Sequence, residues 1–173
     1  MHDIYTYTVP MFIKLLGGLK TVLAKAEAHA KEQGVSEEVM LADQLAPDMF
    51  PLVRQVQIAC DNAKGAVSRL AGVDMPKFDD SEKSFSELYA RIDDTLAFVQ
   101  SVPESAFLEA AERKVVLPYW PDKYMTGFDY AREYVIPNFI FHVVTAYAIV
   151  RKNGVVIGKA DYVNGLPFRD LEA

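Results

Sequence analysis

The sequence predicts an all-α protein, an antiparallel four-helix bundle with a possible short β-hairpin before the last helix. Of its 173 residues 51% are hydrophobic, which is enough apolar surface to bury a core. Apolar residues recur at spacings of three and four in long segments, as they do on the buried face of a helix. The connections between these segments are mostly too short for crossover topologies, so neighbouring helices should run antiparallel. We expect one domain over residues 1–173.

The first helix is predicted to begin with Thr8 as its N-cap and Pro10 near the first helical position, and to end at Gly34. Two glycines, Gly17 and Gly18, lie in its middle, where each costs roughly 1 kcal/mol relative to alanine. They indicate either a kink or the close approach of another segment.

The second helix is predicted to run from near Asp48 to just before Gly72, with a narrow apolar seam typical of bundles. The seam consists of Met49, Val53, Val56, Cys60, Ala63, Val67 and Leu70. A polar stripe runs beside it, formed by Gln57, Asp61, Lys64 and Ser68.

The third helix is predicted to open with the capping-box pattern Ser84–Glu87 and to stop at Pro103. A weak hairpin pattern follows, in which Lys114–Leu117 would pair with Tyr124–Gly127 around a turn.

The fourth helix is predicted to start near Pro137 and to end at Asn153–Gly154. Its first turns are apolar nearly all round, which indicates a helix buried on most sides. The tail after Gly154 should pack back on the bundle as an irregular segment.

Composition excludes several classes of protein. The net charge is −6 and no dense Lys/Arg cluster is present, which argues against a nucleic-acid partner. The longest stretch without charged residues, Tyr134–Val150, is shorter than the ~20 residues of a membrane span. A lone cysteine, Cys60, and a start that lacks the pattern of a signal peptide predict a cytoplasmic protein.

Several segments together resemble DUF1993, a family of domains of unknown function. They are Leu45–Phe50, Gln55–Lys64, Arg69–Gly72, Pro137–His142, Thr145–Tyr147 and Gly154–Tyr162. That family is similar to the DinB/YfiT-like metalloenzymes, which are four-helix bundles and often dimers. The resemblance therefore implies a DinB-like bundle and a homodimer formed through a helix face.

Within that larger group, members typically hold a divalent metal through one histidine on the second helix and a His-x-x-x-His pair on the fourth. This chain has three histidines, His2, His29 and His142, and only His142 matches one of those positions. Its neighbours four residues away are Ala146 and Asn138. The three-histidine site is absent, so we expect no metal and no cofactor. A degenerate site made by His142, Asp61 and Cys60 stays open as an alternative.

His142, Asp61 and Lys64 are the candidate catalytic residues. Histidine titrates near neutral pH and suits acid/base work, but a core histidine with hydrogen-bonded ring nitrogens is the competing interpretation. Asp61 and Lys64 lie one turn apart and form either an exposed ion pair or a polar cluster with His142. Cys60 is expected to be an inert buried thiol.

Aromatic residues are concentrated between residues 119 and 141, where they form either a core layer or the wall of an apolar ligand pocket. The candidate ligand-binding residues are Trp120, Tyr130, Asn138 and Tyr147.

Two functions are compatible with these patterns. One is the binding of a small molecule, with or without catalysis, in a pocket between the second and fourth helices that gathers these residues. The other is a non-catalytic dimeric binding or stress-associated module that has lost the metal chemistry of its relatives. Convergence of the polar groups on an open cavity would favour the first.

Overall fold

The computed structural model describes residues 4–171 and confirms a mainly α-helical bundle. Four long helical segments form the bundle: α1 (Ile4–Gln33), α3 (Leu52–Ala71), α4 (Phe85–Ser101) and α6 (Ile136–Lys152). The smaller elements are α2 (Glu37–Ala42), a 3₁₀ turn (Glu104–Phe107), β1 (Lys114–Val115), β2 (Met125–Thr126), α5 (Gly127–Asp129), a π-helical turn (Tyr130–Val135) and α7 (Lys159–Val163).

The predicted helix end at Gly72 and the predicted helix start at Ser84 are confirmed. Gly72 ends α3 in the left-handed region, with φ of 71°. The Ser84 hydroxyl accepts a hydrogen bond from the Glu87 amide, and the Glu87 carboxylate accepts one from the Ser84 amide. The predicted hairpin also forms, reduced to two antiparallel pairs in which Lys114 faces Thr126 and Val115 faces Met125.

The start of the first helix that was inferred from Pro10 is wrong. Helix α1 already includes Ile4, so Pro10 lies in its interior, and Thr8 donates its hydroxyl to the Ile4 carbonyl instead of capping. The predicted start near Pro137 agrees with the start of α6 at Ile136, but α6 continues directly from the π-helical turn, so helical backbone already begins at Gly127. The π-helical turn just before Pro137 gives the room that a proline ring needs inside a helix.

The second predicted helix starts four residues later than expected, because Pro51 is its N-cap and residues 45–49 form turns. The short helix α2, capped by Ser36, was not predicted, since six residues are too few to show a period.

One helix direction differs from the antiparallel expectation. Helix α3 packs antiparallel to α6, as two contacts show: Gln55 meets His142, and the later residue Asn62 meets the earlier residue Asn138. Helix α4 instead runs parallel to α3, and residues 72–84 form a strap that crosses back along α3 to begin it. Two pairs fix the strap: Asp80 with Arg54, and Glu82 with Gln57 at 2.7 Å.

The close approach predicted by the glycine pair is explained by α7. A Cβ at Gly18 would lie 2.4 Å from the Tyr162 carbonyl oxygen, so only glycine lets α7 dock on α1. The tail is thus partly helical, with Val155 and Ile157 buried and Val156 exposed.

Two helices are long and apolar enough to cross a membrane by length and composition alone, Ile4–Gln33 and Gly127–Lys152. In their most apolar windows 50% and 44% of the residues are buried within the protein. Core helices of water-soluble bundles meet the same criterion, so the absence of a membrane partner stays a prediction.

Candidate functional site

His142 is held by the amide of Gln55. The Nδ1 atom of His142 lies 2.7 Å from Oε1 of Gln55, and Nε2 of Gln55 donates to the Phe50 carbonyl at 2.9 Å. Because the amide nitrogen is used as a donor to Phe50, the amide oxygen faces the imidazole, and Nδ1 must carry the proton. The contact therefore places a proton on Nδ1 of His142 and ties α6 to the start of α3.

The surroundings of His142 disfavour its charged form. The residue is only 7% exposed, and burial together with the positive charge of Arg54 lowers its pKa to about 4. At neutral pH the imidazole is uncharged, and its Nε2 hydrogen-bonds no residue in the range 4–171.

Asp61 and Lys64 belong to a different cluster, which faces α4. Oδ1 of Asp61 lies 3.0 Å from Nζ of Lys64 and 2.8 Å from Nη2 of Arg91. Arg91 is buried and also contacts Asp80 at 2.9 Å and Glu82 at 2.8 Å. The predicted ion pair exists, but Lys64 is buried against the ring of Phe78 rather than solvated, with Nζ 4.0 Å from the ring centre.

The remaining polar candidates are also used in packing contacts. Nδ2 of Asn138 donates to Oδ1 of Asn62 at 3.1 Å, across the same α3–α6 interface as His142. Tyr147 makes an edge-to-face contact with Tyr162, at 6.4 Å between ring centres, and so helps to hold α7.

The polar candidates therefore do not converge as the first hypothesis required. His142 and Asn138 bridge α3 to α6, Asp61 and Lys64 bridge α3 to α4, and Tyr147 contacts α7. Within residues 4–171, Asp61 has neither a hydrogen bond nor an ion pair with His142. Gln55 and Asp61 are six residues apart on α3, so at about 100° per residue they point to different sides of the helix, one towards α6 and the other towards α4.

The divalent metal of the DinB-like group does not fit the residues present. No group of three or more His, Cys, Asp or Glu side chains that could hold an ion occurs in the described part of the chain. The Nδ1 atom of His142 is occupied by an amide, and His2 lies outside the described residues. Cys60 is fully buried, and burial raises the pKa of its thiol to about 12, so it is not a thiolate ligand at neutral pH.

An open cleft lies between the hairpin and the π-helical turn. It has a volume of about 370 Å³. Its lining consists of Val115, Leu117, Trp120, Lys123, Tyr124, Met125, Glu133 and Tyr134. Below, these eight residues are called the aromatic cleft.

The floor of the aromatic cleft is packed against the rest of the protein. Val115 and Leu117 are buried, and the ring of Tyr134 stacks on buried Tyr130 with 5.9 Å between ring centres. The Tyr130 hydroxyl accepts a hydrogen bond from Arg69 of α3 at 3.3 Å. Tyr130 thus supports the cleft from behind and does not line it.

The rim of the cleft is aromatic and open to solvent. Trp120 is 50% and Tyr124 57% exposed, and Trp120 meets Tyr134 edge to face, with 6.4 Å between ring centres. Large aromatic surfaces held open in this way commonly mark binding sites.

Local sequence places the π-helical turn beside the hairpin. Thr126 caps the helix by accepting a hydrogen bond from the Asp129 amide at 3.1 Å. Gly127 is required next, because a Cβ there would lie 1.8 Å from the Ala110 carbonyl oxygen. The turn that follows carries Glu133 and Tyr134 to the cleft.

Sequence reasoning missed Gln55, Arg91, Lys123 and Glu133. Arg91 had a visible signal, since it falls between Leu88 and Thr95 on the inward stripe of α4, where a charged residue must find partners. The cleft residues Lys123 and Glu133 showed no such signal in the sequence, because they come together only through the fold of a loop and a π-helical turn.

A second exposed feature is an apolar stripe on α6. Pro137, Phe141, Val144 and Ala148 recur at spacings of four, three and four and so share one face of the helix. Phe141 is 54% and Val144 44% exposed. The helix is therefore buried on its other sides and uncovered along this one face.

Comparison with known proteins places the whole chain. The family DUF1993, described as a domain of unknown function, matches residues 4–163. A crystal structure of a DinB family member protein from Shewanella denitrificans is similar, with 44% sequence identity and a TM-score of 0.93. The match covers 96% of this chain and 95% of that one. No curated protein matches the chain.

The buried His142 predicts a specific loss of stability in acid. In the unfolded chain its pKa is about 6.5, against about 4 in the fold. Between these values the unfolded chain binds a proton that the native protein does not. The stabilisation is therefore complete above pH 6.5 and declines as the pH falls towards 4, by on the order of 1–3 kcal/mol.

The measurement is urea unfolding of the wild type and His142→Asn at pH 7 and pH 4.5. The variant should lose less stability between the two pH values than the wild type. The matched control is His29→Asn, which removes a half-buried histidine and leaves the Gln55 contact intact. Equal pH dependence in the wild type and His142→Asn would contradict the assignment.

Proposed function

Because the chain belongs to the DUF1993 family of DinB-like proteins, for which no activity is described, we propose a function from the geometry: it binds a small apolar molecule in the aromatic cleft. This moves the predicted ligand site from the interface between the second and fourth bundle helices to the start of the fourth.

The observation that carries the proposal is the aromatic cleft itself, an apolar hollow whose aromatic walls are exposed and whose floor residues are buried. Its volume of about 370 Å³ falls in the range of roughly 300–1,000 Å³ typical of small-molecule sites. A ligand that covers the exposed faces of Trp120 and Tyr124 would remove apolar surface from water. Each Å² of apolar surface buried in this way favours binding by about 25 cal/mol. Val115 and Leu117 of the floor are already buried, so little conformational entropy is lost there when a ligand enters.

The position of the cleft supports the same function. A π-helical turn inside an α-helix is uncommon and occurs frequently at functional sites. Here it places Tyr134 against the cleft and at the same time accommodates Pro137.

A larger hollow, of about 620 Å³, is a weaker candidate. It lies between α2 and the end of the strap, and its walls include Glu38, Glu82, Lys83 and Gln44 but no aromatic residue. A larger share of its lining is polar than in the aromatic cleft, and its Glu82 is already paired with Arg91 and Gln57.

Trp120 is the only tryptophan of the sequence, so its fluorescence reports on this cleft alone. Titration with the neutral probe N-phenylnaphthylamine should give saturable energy transfer from Trp120. Tyr124→Ala removes an exposed wall and should weaken binding about threefold to tenfold, the value of one aromatic contact.

Phe168→Ala is the matched control, since Phe168 is an exposed aromatic residue that does not line the cleft. Its affinity should stay within about twofold of the wild type. A wild type without saturable transfer, or equal weakening by both substitutions, would refute the proposed site.

A second proposal concerns assembly: two copies associate through the apolar stripe of α6. The support is the uncovered face of Pro137, Phe141, Val144 and Ala148, which carries no charge over more than three turns. A helix face of this kind buries its surface efficiently against a copy of itself around a two-fold axis.

Sedimentation velocity tests this assembly. The wild type should sediment as a dimer at micromolar concentration, and Val144→Glu should sediment as a monomer, because a carboxylate would be buried without a partner. Val156→Glu places the same charge on an exposed valine of the tail and should stay dimeric. A monomeric wild type would show that the stripe is not a self-association surface.

A further inference from the structure

The charged groups around the aromatic cleft are not equally available to a ligand. Lys123 and Glu133 line the cleft, and Lys114 and Arg132 lie beside these lining residues. Which of them already has a partner decides what charge a bound molecule would meet.

The carboxylate of Glu133 is compensated by its neighbour. Its Oε1 lies 2.6 Å from Nη2 of Arg132 and 2.7 Å from Nε of the same guanidinium. A two-atom contact of this kind offsets the negative charge at the cleft.

The Lys114 ammonium occupies one aromatic face. Its Nζ lies 4.9 Å from the centre of the Tyr124 ring, so the attraction of that ring for a cation is already used within the protein. An organic cation in the cleft would also meet the repulsion of this ammonium.

Lys123 differs from these three groups, because it has no such partner among residues 4–171. It lines the cleft, is exposed, and makes no ion pair with any residue of the range 4–171. Of the four charged groups at or beside the cleft, three are cations and one is an anion, so their sum is positive, although the chain as a whole carries −6. At physiological ionic strength, charges beyond about 8 Å are largely screened, so the local balance dominates.

We propose that the ligand of the cleft is a small aromatic carboxylic acid, bound as its anion. The ring lies against Trp120 and Tyr134, and the carboxylate accepts a hydrogen bond from the Lys123 ammonium. This assignment rests on the proposed function, and it adds the chemical class of the ligand.

Three probes that share a naphthalene ring and differ in charge test the assignment: 2-naphthoate, the neutral 2-naphthamide and the 2-naphthylmethylammonium cation. Each is titrated against the full chain while the fluorescence of Trp120 is followed. Naphthoate should bind most tightly and the cation most weakly. Added salt should weaken the binding of naphthoate and leave the affinity for the amide unchanged.

Lys123→Gln removes the charge and keeps most of the side-chain length. This substitution should weaken the binding of naphthoate about threefold to fivefold, as expected for the loss of one exposed ion pair. The affinity for the amide should change by less than about twofold. Lys159→Gln is the matched control, since Lys159 is also exposed and does not line the cleft. It should bind all three probes as the wild type does.

The outcomes separate the two claims. Saturable binding of the amide as tight as that of naphthoate, or tighter binding of the cation, overturns the acid assignment and leaves an apolar binding site in place. Failure of all three probes to bind overturns the proposed function together with this inference. Equal weakening of naphthoate and amide by Lys123→Gln also overturns the assignment, because the lysine would then act through packing rather than charge.

Discussion

The structure depends on one constraint: helix α3 is buried on nearly every side, and its polar side chains must find partners there. Most of them reach a different neighbouring element, so their contacts decide how the bundle is assembled. Gln55 and Asn62 fix α6, Asp61 fixes α4 through Arg91, Gln57 holds the strap, and Arg69 reaches Tyr130 in the π-helical turn. An unpaired polar group in this position would cost on the order of 1–3 kcal/mol, so each contact is strongly favoured.

This arrangement separates the residues that the sequence suggested as a site. A histidine, an aspartate and a lysine on adjacent helices look like catalytic machinery, yet here each is used to join two elements. His142 is neutral and held by an amide, while Asp61 shares Arg91 with two other carboxylates. The exposed aromatic rings and the side chain of Lys123 lie instead at the aromatic cleft. The floor of this cleft is tied to α3 by the contact between Arg69 and Tyr130.

Local chemistry made much of the fold predictable. Helical periodicity, the glycine at position 72 and the capping box at Ser84 depend on neighbours in sequence, and the structure confirms them. Pro10 indicated the wrong start for α1, because tertiary packing keeps a proline inside a helix that local rules would begin there. The parallel direction of α4 was also hidden, since it depends on pairings such as Arg91 with Asp61, thirty residues apart. The aromatic concentration was visible in the sequence, but its shape as a cleft was not.

The central claim is that ligands are recognised at the aromatic cleft and not at the polar pairs between α3 and α6. Nuclear magnetic resonance of ¹⁵N-labelled protein with 2-naphthoate tests both places at once, because Trp120 has one indole N–H, and Gln55 and Asn138 have side-chain amides. The account predicts saturable shifts of the Trp120 indole and of backbone amides in residues 115–134, with the Gln55 and Asn138 side chains unchanged. Shifts centred on Gln55, Asn138 and His142 would contradict it and return the site to the α3–α6 interface.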